Sequence, residues 1–216
     1  MTLGLHHLPD GRSGCFNVAP RVAVYPQGAA TPAVEPGWLA LASLPPVAGH
    51  PAVFGDGSHP TTRLCAAAVD LLCRQRQPES VLDVGTGTGL LARIARARGA
   101  GFIAGTDIDP VALASANAHS ALDAHGVEIH FGPEAPDHWG ARFDLVVANI
   151  LEAPLRSLAP ALGRALAVGG TLVISGFTRL QIPALRTVYE RAGLTCIGHS
   201  DLEEWTALTF VRPAAA

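Results

Sequence analysis

The chain has 216 residues, 49% hydrophobic and only 15% charged, a composition that fits one globular domain with a sizeable core and excludes a disordered chain. A formal charge of −3 and a pI near 6.3 leave no electrostatic footprint for nucleic acid. No run of 18 apolar residues occurs and no basic stretch precedes an apolar start, so neither a membrane span nor a secretory leader is expected.

Residues 1–50 are rich in Pro and Gly, with prolines at 9, 20, 26, 32, 36, 45 and 46 that forbid long helices and central strands. One strand-like run, residues 16–25, stands out. The segment reads as an extended arm, 1–50, laid over a domain at 51–216 or partly mobile, and not as a second folded unit. His6 and His7 are adjacent and would not share a helix face, so they read as a solvated pair and no metal site is expected. Residues 53–62, VFGDGSHPTT, form a loop of small polar residues in which Thr61 or Thr62 can cap the following helix, expected over 63–77. That loop either enters the helix and does nothing more, or folds over a ligand.

From residue 79 the alternation becomes regular. Strands are predicted at 80–84, 102–107, 127–131, 143–148, 170–175, 194–200 and 205–211, and helices at 88–98, 110–124, 153–166 and 179–192. Apolar runs such as FDLVVA (143–148) suit parallel strands buried on both faces. Asp109 and Pro110 open a helix as cap and first helical residue. The last two strands are separated by too few residues for a crossover and must pair antiparallel. The expected fold is α/β and Rossmann-like, a seven-stranded, mostly parallel sheet closed by a C-terminal antiparallel hairpin. Cys15, Cys65, Cys73 and Cys196 form no C-x-x-C pair, which fits a reduced, cytoplasmic setting. All fifteen Lys and Arg positions are arginine.

The stretch that carries chemistry is VLDVGTGTG (81–89), a strand running into Gly85, Gly87 and Gly89 and then a helix. Such a turn lets a ligand approach the backbone and offers it the amides of a helix start. Asp107 ends the second strand 22 residues after Gly85, about where an acid reaches the ribose hydroxyls of a nucleoside. A dinucleotide fingerprint needs its third glycine at 90, which is Leu90. Asp83, two residues before the first glycine, disfavours a pyrophosphate and suits a cation. S-adenosyl-L-methionine, with an ammonium and a sulfonium, fits this turn, whose expected contacts are Asp83, Gly85, Thr86, Gly87 and Gly89. Asn149 follows the fourth strand at the same rim, either as a ligand contact or as a helix cap. Glu152 lies beside it, equally well explained as a first-turn acid.

Three segments together resemble the ribosomal protein L-eleven methyltransferase family of class I methyltransferases: FGDGSHPTT (54–62), VLDVGTGTGLLA (81–92) with GTDIDP (105–110), and ANILEAPL (148–155). The resemblance covers roughly residues 54–212. It implies S-adenosylmethionine-dependent methylation of amino groups on a ribosomal protein. Carried over by motif position, Thr62, Gly85, Asp107 and Asn149 contact the cofactor and Ile108 lies against the adenine. Phe54 and His59 line the methyl-transfer opening, and Asn149 orients an amine. Members also carry an N-terminal domain that recognises the ribosomal protein, where this sequence has the Pro-rich arm. The acceptor is therefore expected to be a protein, ribosomal or other, or a small-molecule amine. A nicotinamide oxidoreductase and a non-catalytic cofactor-binding module are the alternatives. Oligomeric state is not legible.

Overall fold

The computed structural model describes residues 16–29, 31–32, 34–45, 52–123 and 126–214. Its centre is a seven-stranded sheet in the order β6-β5-β4-β7-β8-β10-β9. Here β4 is Ser80–Val84, β5 Phe102–Thr106, β6 Ile129–Gly132, β7 Phe143–Asn149, β8 Leu166–Thr178, β9 Thr195–Leu202 and β10 Trp205–Val211. The first five pair parallel, and β10 pairs antiparallel with both β8 and β9. Every residue of β4 is buried, as expected of a strand covered by helices on both faces. Chain order reverses between β4 and β7, which puts a crevice beyond their carboxyl ends.

On one face lie α1 (Pro60–Arg76), α2 (Leu90–Ala97) and α3 (Pro110–Ser120); α4 (Glu152–Ala165) and α5 (Ile182–Arg191) belong to the other. Asp109 caps α3, its Oδ1 accepting from the Val111 amide at 2.8 Å, with Pro110 behind it. Neither threonine caps α1. His59 does so, its Nδ1 accepting from the Thr61 amide, because Pro60 takes the first helical position and needs no partner. The helix predicted to begin at 179 starts with a 3-10 turn, Arg179–Gln181, boxed by Thr178, and only then becomes α5. β8 begins at Leu166, four residues earlier than predicted; Gly169 and Gly170 hold its start by backbone bonds to Arg212.

The arm differs from its expectation. Its described residues form a second sheet, β1 (Phe16–Ala19), β2 (Val22–Pro26) and β3 (Leu39–Ser43), in that order. Pro20 and Arg21 turn what reads as one run into an antiparallel hairpin, and β3 returns parallel to β2. Val18, Val22, Val24 and Leu41 are buried in one cluster with α1 and α2 residues Leu64, Cys65, Ile94 and Ala95. Polar clasps hold this sheet as well. Arg93, 1% exposed, pairs with Asp123 at 2.6 Å and donates to the Ala42 carbonyl at 2.6 Å. Arg98 pairs with buried Asp70 and donates to the Gly37 carbonyl. The Leu44 amide donates to His119 Nε2 while Nδ1 donates to the Ser115 carbonyl. Burial keeps His119 below the ordinary histidine range, so the ring stays neutral and can accept. His6, His7 and Cys15 lie outside the described residues. Among the described residues no helix is long and apolar enough to cross a membrane, and no three His, Cys, Asp or Glu gather as a metal site.

Replacing Arg93 with Met strands the Ala42 carbonyl and half-empties the Asp123 pair. The unfolding free energy from denaturant titration should fall by about 3 kcal/mol. Arg164→Met breaks an exposed pair with Asp137 and should cost less than about 1 kcal/mol.

Candidate functional site

The glycine turn sits at the crevice, between the ends of β4 and α2. Its amides are spent within the protein. Gly85 and Thr86 both donate to the Thr106 carbonyl, at 2.8 and 2.9 Å; Thr88 donates to the Phe54 carbonyl at 3.1 Å and Gly89 to the Thr86 carbonyl at 2.8 Å. The Gly87 amide donates to Asp107 Oδ2 at 3.1 Å. The amides of residues 85–89 are thus already engaged within the protein.

Two glycines are required by close approach. Gly85 has φ +71, and an added Cβ would enter the Ile150 side chain; Gly87 has φ +54, and an added Cβ would enter the Phe54 carbonyl. The 54–59 loop thus lies directly on the turn. Thr88 Oγ1 fixes it further by donating to the Gly55 carbonyl at 2.6 Å. Beneath it, Val18 of β1 packs against Gly57.

Asp83 and Asn149, at the ends of adjacent strands, each keep one buried oxygen without a partner among the described residues. Asp83, fully buried, accepts at Oδ2 from Thr86 Oγ1 (2.7 Å) and from the Ala92 amide (3.3 Å). Burial pushes its pKa up from 3.8 to about 7, more than those two bonds lower it; Asp107 adds to the rise. Asn149 caps nothing, since α4 is entered through Leu151. Its Nδ2 donates to Thr62 Oγ1 at 3.2 Å, which leaves Oδ1 free. Thr62 is itself buried. Asp107 Oδ1 accepts from the Asp109 amide. Ile108 beside it is 96% exposed, an apolar side chain with no protein to cover it.

The opening has an aromatic wall. The Phe54 and His59 rings are 5.2 Å apart, and His59 meets Trp205 edge-on at 4.8 Å. Because His59 Nδ1 accepts a backbone N–H, the neutral ring carries its hydrogen on Nε2. His59 is therefore both cap and wall. Glu152 pairs with Arg156 at 3.1 Å on the first turn of α4. Trp205 is the residue that sequence reading missed. It begins β10 opposite Thr178, and the hairpin expected at the C-terminus is the signal that could have placed it at this rim.

A family profile described as "Ribosomal protein L11 methyltransferase (PrmA)" matches residues 48–213. The ribosomal protein L11 methyltransferase of Geobacter sulfurreducens is 41% identical over 157 residues, 73% of this chain and 51% of that protein. That of Bradyrhizobium diazoefficiens is 39% identical over 160 residues, 72% of this chain and 54% of that protein. The chain thus spans about half the length of the curated relatives it matches. The crystal structure of a ribosomal protein L11 methylase from Lactobacillus delbrueckii subsp. bulgaricus superposes with a TM-score of 0.80 at 26% identity, covering 93% of this chain and 100% of that one. That share exceeds residues 48–213, so the likeness reaches into the arm. An O-methyltransferase family protein from Burkholderia thailandensis, 17% identical with a TM-score of 0.58 over 71% of this chain and 57% of that one, shares the fold alone.

Gly87→Ala forces a Cβ into the Phe54 carbonyl at a positive φ. It should cost at least about 1–2 kcal/mol of stability and lift the 54–59 loop. Limited proteolysis should then cut within 52–58, where the parent protein resists.

Proposed function

The chain belongs to the ribosomal protein L11 methyltransferase family, and from that membership we propose that it transfers a methyl group from S-adenosylmethionine to an amino group of a protein. The observation that carries the proposal is the pairing of a turn whose amides are spent with two unpartnered buried acceptors, Asp83 Oδ1 and Asn149 Oδ1. Such a rim favours a ligand that brings its own donors and positive charge. The residues fit S-adenosylmethionine. Asp107, set where the second strand ends, would hold the ribose; Gly85, Thr62 and Asn149 would hold the amino-acid end. Ile108 offers its exposed side chain to the adenine.

When bound, the cofactor supplies a methyl group made electrophilic by the sulfonium. The chain has to align the amine with it, and orientation of this kind is worth on the order of 7–11 kcal/mol. An alkylamine with an ordinary pKa near 10.4 must also lose its proton, at about 4–5 kcal/mol at neutral pH. Phe54, His59 and Trp205 lower that cost by giving the amine an aromatic, weakly polar surround that disfavours the ammonium form. Asn149 Oδ1 can accept from the neutral amine and turn its lone pair to the methyl.

Incubation with radiolabelled methyl donor and a lysate of the source organism tests this: label should appear in a protein band and, after hydrolysis, on an amine. Label in small molecules alone would sink the protein acceptor, and no transfer at all would sink the activity. Asp107→Ala should weaken cofactor binding at least about tenfold by calorimetry, the loss expected of a charged hydrogen-bonding partner; unchanged affinity would refute the ribose role. Deleting the arm is expected to weaken cofactor binding as well as turnover. It removes Val18 from beneath Gly57 and uncovers the α1 face.

A further inference from the structure

We propose that Asp83 holds a proton in the ligand-free protein and surrenders it to solvent when the cationic cofactor enters, so that capture of S-adenosylmethionine releases one proton. This rests on the cofactor reading above and goes beyond it, because it makes affinity for the methyl donor depend on pH through one residue.

The geometry is that of a carboxyl that cannot be comfortable as an anion. Asp83 is 0% exposed between β4 and the start of α2, and Oδ1 has no partner among the described residues. Only two neutral donors, the Thr86 hydroxyl and the Ala92 amide, reach Oδ2. The elements around it bring no cation. From α1 the facing group is the thiol of Cys65, which burial and Asp83 itself push above the ordinary thiol range. From the end of β5 it is Asp107, a like charge. The arginines of α2, Arg93 and Arg96, turn away to Asp123. From β7, Asn149 is neutral and bonded to Thr62. A buried carboxyl so placed keeps its proton near neutrality, in line with a pKa raised to about 7 by burial first and Asp107 second.

Asp83 nevertheless stands two residues from Gly85 and is bonded to Thr86 of the turn that would wrap the cofactor. A ligand carrying an ammonium and a sulfonium favours the anion when it binds there. By linkage the proton must then leave, and affinity must rise with pH until the free carboxyl is fully ionised. A folded pKa above 3.8 also sets the sign for the empty protein. The contribution of this group to stability is complete below about 3.8 and is lost as pH rises through about 7.

The test is calorimetric titration of the full chain with S-adenosylmethionine at pH 6 and pH 7, in buffers of different ionisation enthalpy. The cofactor's own amino group, with an ordinary pKa of about 7.7–8.0, stays mostly protonated over this interval. The expected result is release of about 0.9 proton at pH 6 and an affinity about fivefold weaker there than at pH 7, which follows from a free pKa near 7. Asp83→Asn keeps an acceptor for Thr86 and should bind with little change in affinity over the interval and with no proton released. Should that variant fail to fold, Thr86→Val removes a bond that favours the anion and should move the onset of weakening to higher pH. Binding without proton release by the parent protein, or the same release by Asp83→Asn, overturns the inference while leaving the cofactor assignment intact. No binding at either pH overturns both.

Discussion

The constraint on which the site depends is the occupation of every amide in the glycine turn by a protein acceptor. Thr106 takes two of them with one carbonyl, Phe54 one, and Asp107 one through its carboxylate. Each bond contributes on the order of 1 kcal/mol, with the charge-assisted one to Asp107 worth more. Their larger effect is geometric. They fix the turn before any ligand arrives, so the crevice is shaped by the tips of β4 and β5 and by the loop lying over them. The buried atoms left without a partner beside the turn, Asp83 Oδ1 and Asn149 Oδ1, are both oxygens.

The support runs outward in layers. The turn is pressed by the 54–59 loop, whose Phe54 carbonyl is admitted only because position 87 is glycine. The loop rests on Val18, and Val18 belongs to a sheet sharing its core with α1 and α2. That sheet is clasped by Arg93, Arg98 and His119. A long polar side chain buried at 1% exposure would be costly alone; Arg93 is tolerated because Asp123 and the Ala42 carbonyl meet its donors at 2.6 Å. The N-terminal strands are thus tied mechanically to the crevice, and Phe16, Val24, Tyr25 and Ser43 line a cavity shared with Thr88 of the glycine turn.

Much of this was legible in the chain. The seven strands, the closing hairpin, the Asp109 cap and the placement of Asp107 and Asn149 on one rim follow from periodicity, turn chemistry and the rule for open sheets. What escaped depends on contacts far apart in sequence. Proline spacing in residues 16–45 rules out long elements, and short strands slip beneath that filter; only the partnership of Val18, Val22 and Leu41 with α1 makes a sheet of them. Thr61 and Thr62 are good caps by composition, yet Pro60 shifts the helix start and gives the role to His59. The glycine turn reads as a donor of amides because its acceptors, Thr106 and Phe54, are unremarkable residues whose carbonyls carry no sequence signature. Trp205 reads as an ordinary strand residue until the hairpin brings it against His59.

The energetic consequence is a site held under tension until it is filled. A buried polar atom without a partner costs about 1–3 kcal/mol, and two stand at this rim. Against a total stability of about 5–15 kcal/mol for a domain, that is a substantial share. Packing elsewhere carries it: Leu82, Val84 and Ala148 are buried in the cluster on the α4 and α5 face of the sheet, while Val81, Val147 and Val173 are buried on the other. A ligand that satisfies Asp83 and Asn149 returns this energy as affinity, and selectively so, because a ligand lacking donors or charge leaves the penalty in place.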